Sequence, residues 1–163
     1  MATSEKNLSE FNSNDIPNGA DFRIGIVVSE WNGDITSNLL KGAVETLERA
    51  GVSKNNIVIK HVPGAFELPI GCQWLAENDE DLDGMIAIGC VIQGDTKHFD
   101  FVCSGATQGI MNVMLEYNIH ISFCLLTDNT KQQSIDRSGG KHGNKGVEAA
   151  VSCLKMIQLF DSL

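Results

Sequence analysis

The stretch Asp83 to Tyr117, DGMIAIGCVIQGDTKHFDFVCSGATQGIMNVMLEY, decides the fold. Met85 to Ile92 is an unbroken apolar run, the pattern of a strand buried on both faces of a sheet. Further on, Val102, Ala106, Ile110, Val113 and Tyr117 recur at helical spacing, and Gly105 and Gly109 leave room for a close neighbour. The polar turn Gln93-Gly94-Asp95-Thr96-Lys97-His98 joins the two. A turn that leaves a buried strand and feeds a helix points free backbone N–H groups and the positive end of the helix dipole outward. Gly94 admits close approach of a ligand, Thr96 adds a hydroxyl, and His98 stands beside them, which together suit a phosphate and a proton transfer. Gly, Asp and Thr serve equally well as a plain turn and helix cap, so this loop alone leaves both readings open.

Working outward, Phe22 to Val28 reads as a first buried strand ending at Ser29-Glu30-Trp31-Asn32. Asp34 is the expected cap of a helix striped by Ile35, Leu39, Ala43, Leu47 and Ala50 and closed by Gly51. Ile57 to Val62 reads as a strand and Leu68 to Glu77 as a helix, with Pro69 in its first turn. Ile119 to Leu126 is the fourth strand. A short helix over Lys131 to Ser138, Gly139-Gly140, and a final helix carrying Val147, Val151, Leu154 and Ile157 complete the chain. Strands alternating with helices predict an α/β protein: a three-layer α/β/α sandwich around a flavodoxin-like four-stranded parallel sheet of order 2-1-3-4. Residues 1–20, polar and ending near Pro17 and Gly19, read as a flexible or externally docked arm on a single domain spanning 21–163.

The 163 residues suit one core, and 12 basic against 21 acidic residues give a net charge of −9. That balance argues against nucleic acid and anionic membranes as partners. No apolar run approaches spanning length, and the first residues lack the apolar core of a secretion signal. Five widely spaced cysteines without zinc or thioredoxin spacing read as reduced core residues of a cytoplasmic protein.

Ligands of such sheets bind at the carboxyl ends of the strands. Those ends carry Trp31-Asn32, Gly64-Ala65-Phe66-Glu67, Gly94 to His98 and Thr127 to Thr130, a set richer than turn chemistry requires. Trp31 is placed to cover an aromatic ring, although a lone Trp is commonly plain packing. Glu67 suits hydroxyl groups or a helix N-terminus, and His98 suits proton transfer or a structural role. A metal held by Asp95, His98 and Asp100 lacks a second His or Cys at ligand spacing. Lys131, Arg137, Lys141 and Lys145 against Asp136 make a local island of +3. Arg137 is its best phosphate partner.

Four segments in this order resemble the 6,7-dimethyl-8-ribityllumazine synthase family from about Phe22 to the C-terminus. They are Val28 to Asn32, Pro63 to Pro69, Gly89 to Asp100 and Arg137 to Gly146. The resemblance implies condensation of 5-amino-6-(ribitylamino)uracil with 3,4-dihydroxy-2-butanone 4-phosphate, giving the lumazine, phosphate and water, the penultimate step of riboflavin biosynthesis. It implies neither metal nor organic cofactor. By similarity, Trp31 covers the pyrimidine, Ala65 and Glu67 hold the ribityl hydroxyls, and Asn32, Phe66, Val91, Ile92 and Gln93 belong to the same subsite. Gly94, Asp95, Thr96 and Arg137 take the phosphate, His98 moves protons, and Phe123 and Lys145 arrive from an adjacent subunit. The implied partners are further copies of the chain, in pentamers built into an icosahedral shell, and riboflavin synthase. Trp31 replaces a more usual Phe, and Cys124, Asp128 and Gln132 stand where Gly, Thr and Glu are frequent. A flavin-binding module or a non-catalytic shell protein would share much of this pattern; the first would show no turnover, the second would tolerate loss of His98.

Overall fold

The computed structural model describes residues 9–11 and 16–163. Its sheet has four parallel strands, β1 (Ile24–Ser29), β2 (Ile57–Val62), β3 (Gly84–Ile92) and β4 (His120–Asp128), in the order β2-β1-β3-β4. Register runs evenly along the central pair, from Ile24 opposite Gly84 to Val28 opposite Ile88. Helices α1 (Gly33–Arg49) and α5 (Lys145–Asp161) cover one face; α2 (Leu68–Asn78) and α3 (His98–Glu116) cover the other. The short α4 (Lys131–Arg137) leads to a hairpin of β5 (Ser138–Gly140) and β6 (Gly143–Asn144).

Alternation along buried strands divides the core. Ile24, Ile26 and Val28, with Ile86, Ile88 and Cys90, meet α1 and α5, whereas Val27, Met85 and Ala87 meet α2 and α3. The α1 stripe is buried at Ile35, Leu39, Ala43 and Leu47 as its spacing requires. The helix closes in a Schellman arrangement: the N–H of Gly51, at φ +99°, donates to Glu48, and that of Val52 donates to Leu47.

Several boundaries differ from the sequence reading. Asn32, at φ 59°, is the α1 cap in place of Asp34, which lies in the first turn and pairs with Lys131 at 2.7 Å. β4 continues two residues past Leu126 because Asp128 is buried and bonded. The hairpin at 138–144 is too short for periodicity to reveal. The room left by Gly105 and Gly109 is filled from within the chain: a Cβ there would come 2.8 Å from the Phe66 ring and 2.6 Å from Pro69.

Of the arm expected over residues 1–20, the parts 1–8 and 12–15 lie outside the described residues. Ile16 packs on the α1 side of the core, the Gly19 N–H donates to Ala50 O at 2.8 Å, and Ser9 Oγ accepts from the Asn144 N–H at 2.9 Å. Among the described residues no helix is long and apolar enough to cross a membrane.

Candidate active site

A cleft of about 700 Å³ opens at the carboxyl ends of β1 and β3, in the size range of small-molecule sites. Its floor is braced by Asn32. The left-handed conformation of Asn32, which Asn tolerates better than most residues, turns its side chain so that Nδ2 donates to Cys90 O at 3.0 Å. Trp31 stands two residues after the end of β1, its backbone N–H donating to Pro63 O at 3.2 Å, and the residue is 73% exposed at the cleft.

The opposite wall is a short 3₁₀ turn, Ala65–Glu67, that runs straight into α2. Ala65 is buried, Phe66 projects with 61% exposure, and Glu67 is the α2 cap residue. A carboxylate there meets the positive end of a helix dipole. Glu67 Oε2 would lie 3.0 Å from a Cβ on Gly64, so the carboxylate folds back over the turn.

The third wall is β3 and the turn into α3. Val91, Ile92, Gly94, Thr96 and His98 face the cleft. Lys97 is the α3 cap residue and its side chain makes no cap hydrogen bond; among the described residues the one side-chain acceptor at this helix start is Thr96 Oγ1, 3.4 Å from the His98 N–H. An uncapped helix start with Gly94 in open space is a place where an anion can meet several backbone donors.

Ten of the residues singled out in the sequence thus share one cleft: Trp31, Asn32, Ala65, Phe66, Glu67, Val91, Ile92, Gly94, Thr96 and His98. Gln93, Asp95, Phe123, Arg137 and Lys145 lie outside its lining. The Gln93 N–H is spent on Asp128 O at 2.9 Å. Phe123 lies exposed on the α3 side of the edge strand β4, beside Cys103, Ser104, Thr107, Gln108 and Thr127.

The basic island is not a free cationic patch within the chain. Lys131 meets Asp34 at 2.7 Å, Arg137 meets Asp128 at 3.6 Å, Lys141 meets Asp136 at 3.2 Å, and Lys145 meets Glu148 at 2.7 Å. Local counting saw only Asp136, because the other three carboxylates come from α1, β4 and α5.

Cys90, Phe99, Phe101 and Val102 line the cleft without having been singled out as site residues. Phe101, 72% exposed, was detectable as an aromatic lying off the buried stripe of α3. Burial raises the Cys90 thiol and pushes Cys72, Cys124 and Cys153 up to about 12, so these are packing groups and not thiolate nucleophiles. Among the described residues no three His, Cys, Asp or Glu side chains gather as a metal-binding group.

The family model for 6,7-dimethyl-8-ribityllumazine synthase matches residues 21–161. The chain belongs to the 6,7-dimethyl-8-ribityllumazine synthase family. Curated synthases of that name are similar over nearly all of it. That of Christiangramia forsetii is 55% identical, covering 98% of this chain and 95% of its own length. That of Parabacteroides distasonis is 56% identical, covering 96% and 98%. That of Flavobacterium johnsoniae is 56% identical, covering 96% and 82%. The activity is accordingly that of a transferase, the lumazine synthase reaction of riboflavin biosynthesis.

Proposed function

We propose that the cleft beside Gly94 condenses 5-amino-6-(ribitylamino)uracil with 3,4-dihydroxy-2-butanone 4-phosphate, and that residues 21–163 form the catalytic domain to which 1–20 is appended as an arm. The observation carrying this reading is the meeting of Trp31, Glu67, His98 and the Gly94–Thr96 turn around one small-molecule-sized cavity. An aromatic plate suits the pyrimidine, with Asn32, Phe66, Val91 and Ile92 beside it and Gln93 next in the chain. A carboxylate and the backbone at Ala65 suit the ribityl hydroxyls. The uncapped start of α3 suits the phosphate, with Asp95 next in the same turn and Arg137 reaching it from an adjacent copy.

The bond changes place demands on these groups. The pyrimidine's 5-amino nitrogen attacks the ketone carbonyl, and water leaves as the imine forms. A base then removes the proton from the carbon next to the imine, and the electron pair expels phosphate from the adjacent carbon. The resulting enol becomes a ketone. The ribityl-bearing nitrogen attacks that carbonyl, and a second water leaves as the ring closes. Every step is an addition to a carbonyl, a proton movement or a leaving-group departure, without change of total oxidation state. His98, exposed at the cleft wall beside the phosphate turn, fits the proton shuttle. Backbone donors and Arg137 fit the departing phosphate. Holding two bound substrates in reacting geometry supplies much of the remaining acceleration.

One chain does not complete this site. Phe123, Arg137 and Lys145 lie apart from the cleft, so they serve the cleft of an adjacent copy in a pentamer. The compact hairpin at 138–144 favours close approach of pentamers into an icosahedral shell, with riboflavin synthase as a partner enzyme. Four deeply buried free cysteines and a fifth half-buried one fit a cytoplasmic location. The test mixes both substrates with pure protein and follows lumazine fluorescence together with phosphate release. Equal, enzyme-dependent amounts of the two products are expected; phosphate without lumazine would refute the assignment of both events to this cleft.

A further inference from the structure

A carboxylate that no step above uses stands behind the Arg137 guanidinium. Asp128 ends β4 and is only 8% exposed. Its Oδ2 accepts from Ser134 Oγ at 2.8 Å, and its Oδ1 lies 3.6 Å from Arg137 Nε. Ser134 is wholly buried and in turn accepts the weak Cys90 Sγ–H donor at 3.4 Å. The Asp128 backbone oxygen accepts from the Gln93 N–H at 2.9 Å, which joins the end of β4 to the start of the glycine turn.

Two features of this cluster matter. Asp128 is fixed from both sides, by the β4–β3 backbone bond and by a buried hydroxyl, so its position is defined before any substrate arrives. It also approaches Arg137 on the Nε side. Among the described residues no hydrogen bond engages the Nη atoms, and the side chain keeps 29% exposure. A guanidinium held by one edge presents its other edge as a planar fork for a second anion.

We infer that Asp128, pinned by Ser134, is a positioning residue that aims the Nη edge of Arg137 at the substrate's phosphate oxygens. This rests on the phosphate role given to Arg137 above. Two effects oppose each other. A negative charge behind the guanidinium repels phosphate, while a fixed fork spares the entropy of ordering a long side chain. The carboxylate lies on the far side of the cation from the fork, so ordering prevails.

Calorimetry with inorganic phosphate on the full-chain enzyme, together with KM and kcat for the phosphorylated ketone, tests this. Asp128→Ala should weaken phosphate about three- to tenfold, within the range seen for coupled neighbours, with the loss carried by KM more than by kcat. Asp128→Asn keeps an oxygen facing Nε and should restore most of it. In an Arg137→Ala background, Asp128→Ala should add nothing. If Arg137→Ala weakens phosphate while Asp128→Ala binds it as tightly as the unaltered enzyme or tighter, Asp128 is a competitor and the inference fails. If Arg137→Ala itself leaves phosphate binding unchanged, the phosphate role of Arg137 falls first. Should Asp128→Ala not fold, Ser134→Ala decides: freeing Oδ2 should weaken phosphate about twofold, and undiminished binding overturns the positioning role.

Discussion

His98 and Gly94 separate chemistry from architecture at single positions. His98 is exposed and faces the cleft, and among the described residues its side chain forms no hydrogen bond or ion pair. His98→Ala should therefore lower kcat by roughly 10²- to 10⁴-fold, the range for losing a general acid–base, with thermal unfolding unchanged. Activity within a few-fold of the unaltered enzyme would remove it from the mechanism. At Gly94 a Cβ would meet nothing within 4 Å, so the chain itself has no need of glycine there. Gly94→Ala should alter stability by less than about 0.5 kcal/mol, as for surface changes, while raising KM for the phosphorylated ketone. A matching loss of stability would show that the turn is packed and not open. Both residues were legible because a polar turn between a buried strand and a helix is a small search space. Asp128 was not: read along the sequence it is one acid after an apolar strand. Its meaning comes from Ser134 and Arg137, six and nine residues away on another element.

At the scale of elements, the strands and long helices were readable because burial imposes periodicity, and the sheet order was readable as the flavodoxin-like arrangement natural for four parallel strands with right-handed crossovers. Caps and short pieces were less so, since side-chain partners from distant segments decide them. Asp34 illustrates this: locally it is a good cap, yet Lys131 claims it and lowers its carboxyl below the usual range. The α2–α3 contact was visible only as two glycines. Gly109→Ala would set a Cβ 2.6 Å from the rigid Pro69 ring, and overpacking of this kind costs about 1–3 kcal/mol. Chemical denaturation should show that loss, and an unchanged midpoint would mean that α3 slides freely on α2. The start of β1 is tied to the end of α2 by Arg23, whose Nη2 lies 2.7 Å from Asp79. The Arg23 hydrogen bonds hold the Asp79 carboxyl below its ordinary range. A depressed carboxyl stabilises the fold above its unfolded value, about 3.9, and the contribution is lost as pH falls through the lower folded value. Arg23→Met should thus destabilise at neutral pH, with a gap from the unaltered protein that narrows below about pH 4. A gap constant across that window would show that packing, not charge, ties the two elements.

For the whole molecule, α3 makes the argument for assembly. It buries Ala106, Ile110 and Val113 against its own sheet, yet turns Met111 and Leu115 outward at 44% and 72% exposure. A helix apolar on two sides has a second face to cover, and for the pentamer proposed above, built from chains that each carry −9, this face would let copies meet without bringing their charge together. The edge strand β4 exposes Phe123 beside α3 in the same way. If these surfaces close a ring, the residues that one chain leaves apart from its cleft come to the cleft of its neighbour, and activity depends on assembly. Met111→Glu then puts a charge into an apolar contact that the closed ring repeats at every copy. Sedimentation velocity should show smaller species, and lumazine formation should fall in proportion to the ring that is lost. The unaltered protein should sediment as pentamers and as larger closed assemblies of them. A single pentamer-sized species across pH and phosphate concentration would exclude the shell. A Met111→Glu monomer with full activity would exclude the shared site, because Arg137, Phe123 and Lys145 would then have no route to the cleft they are proposed to serve.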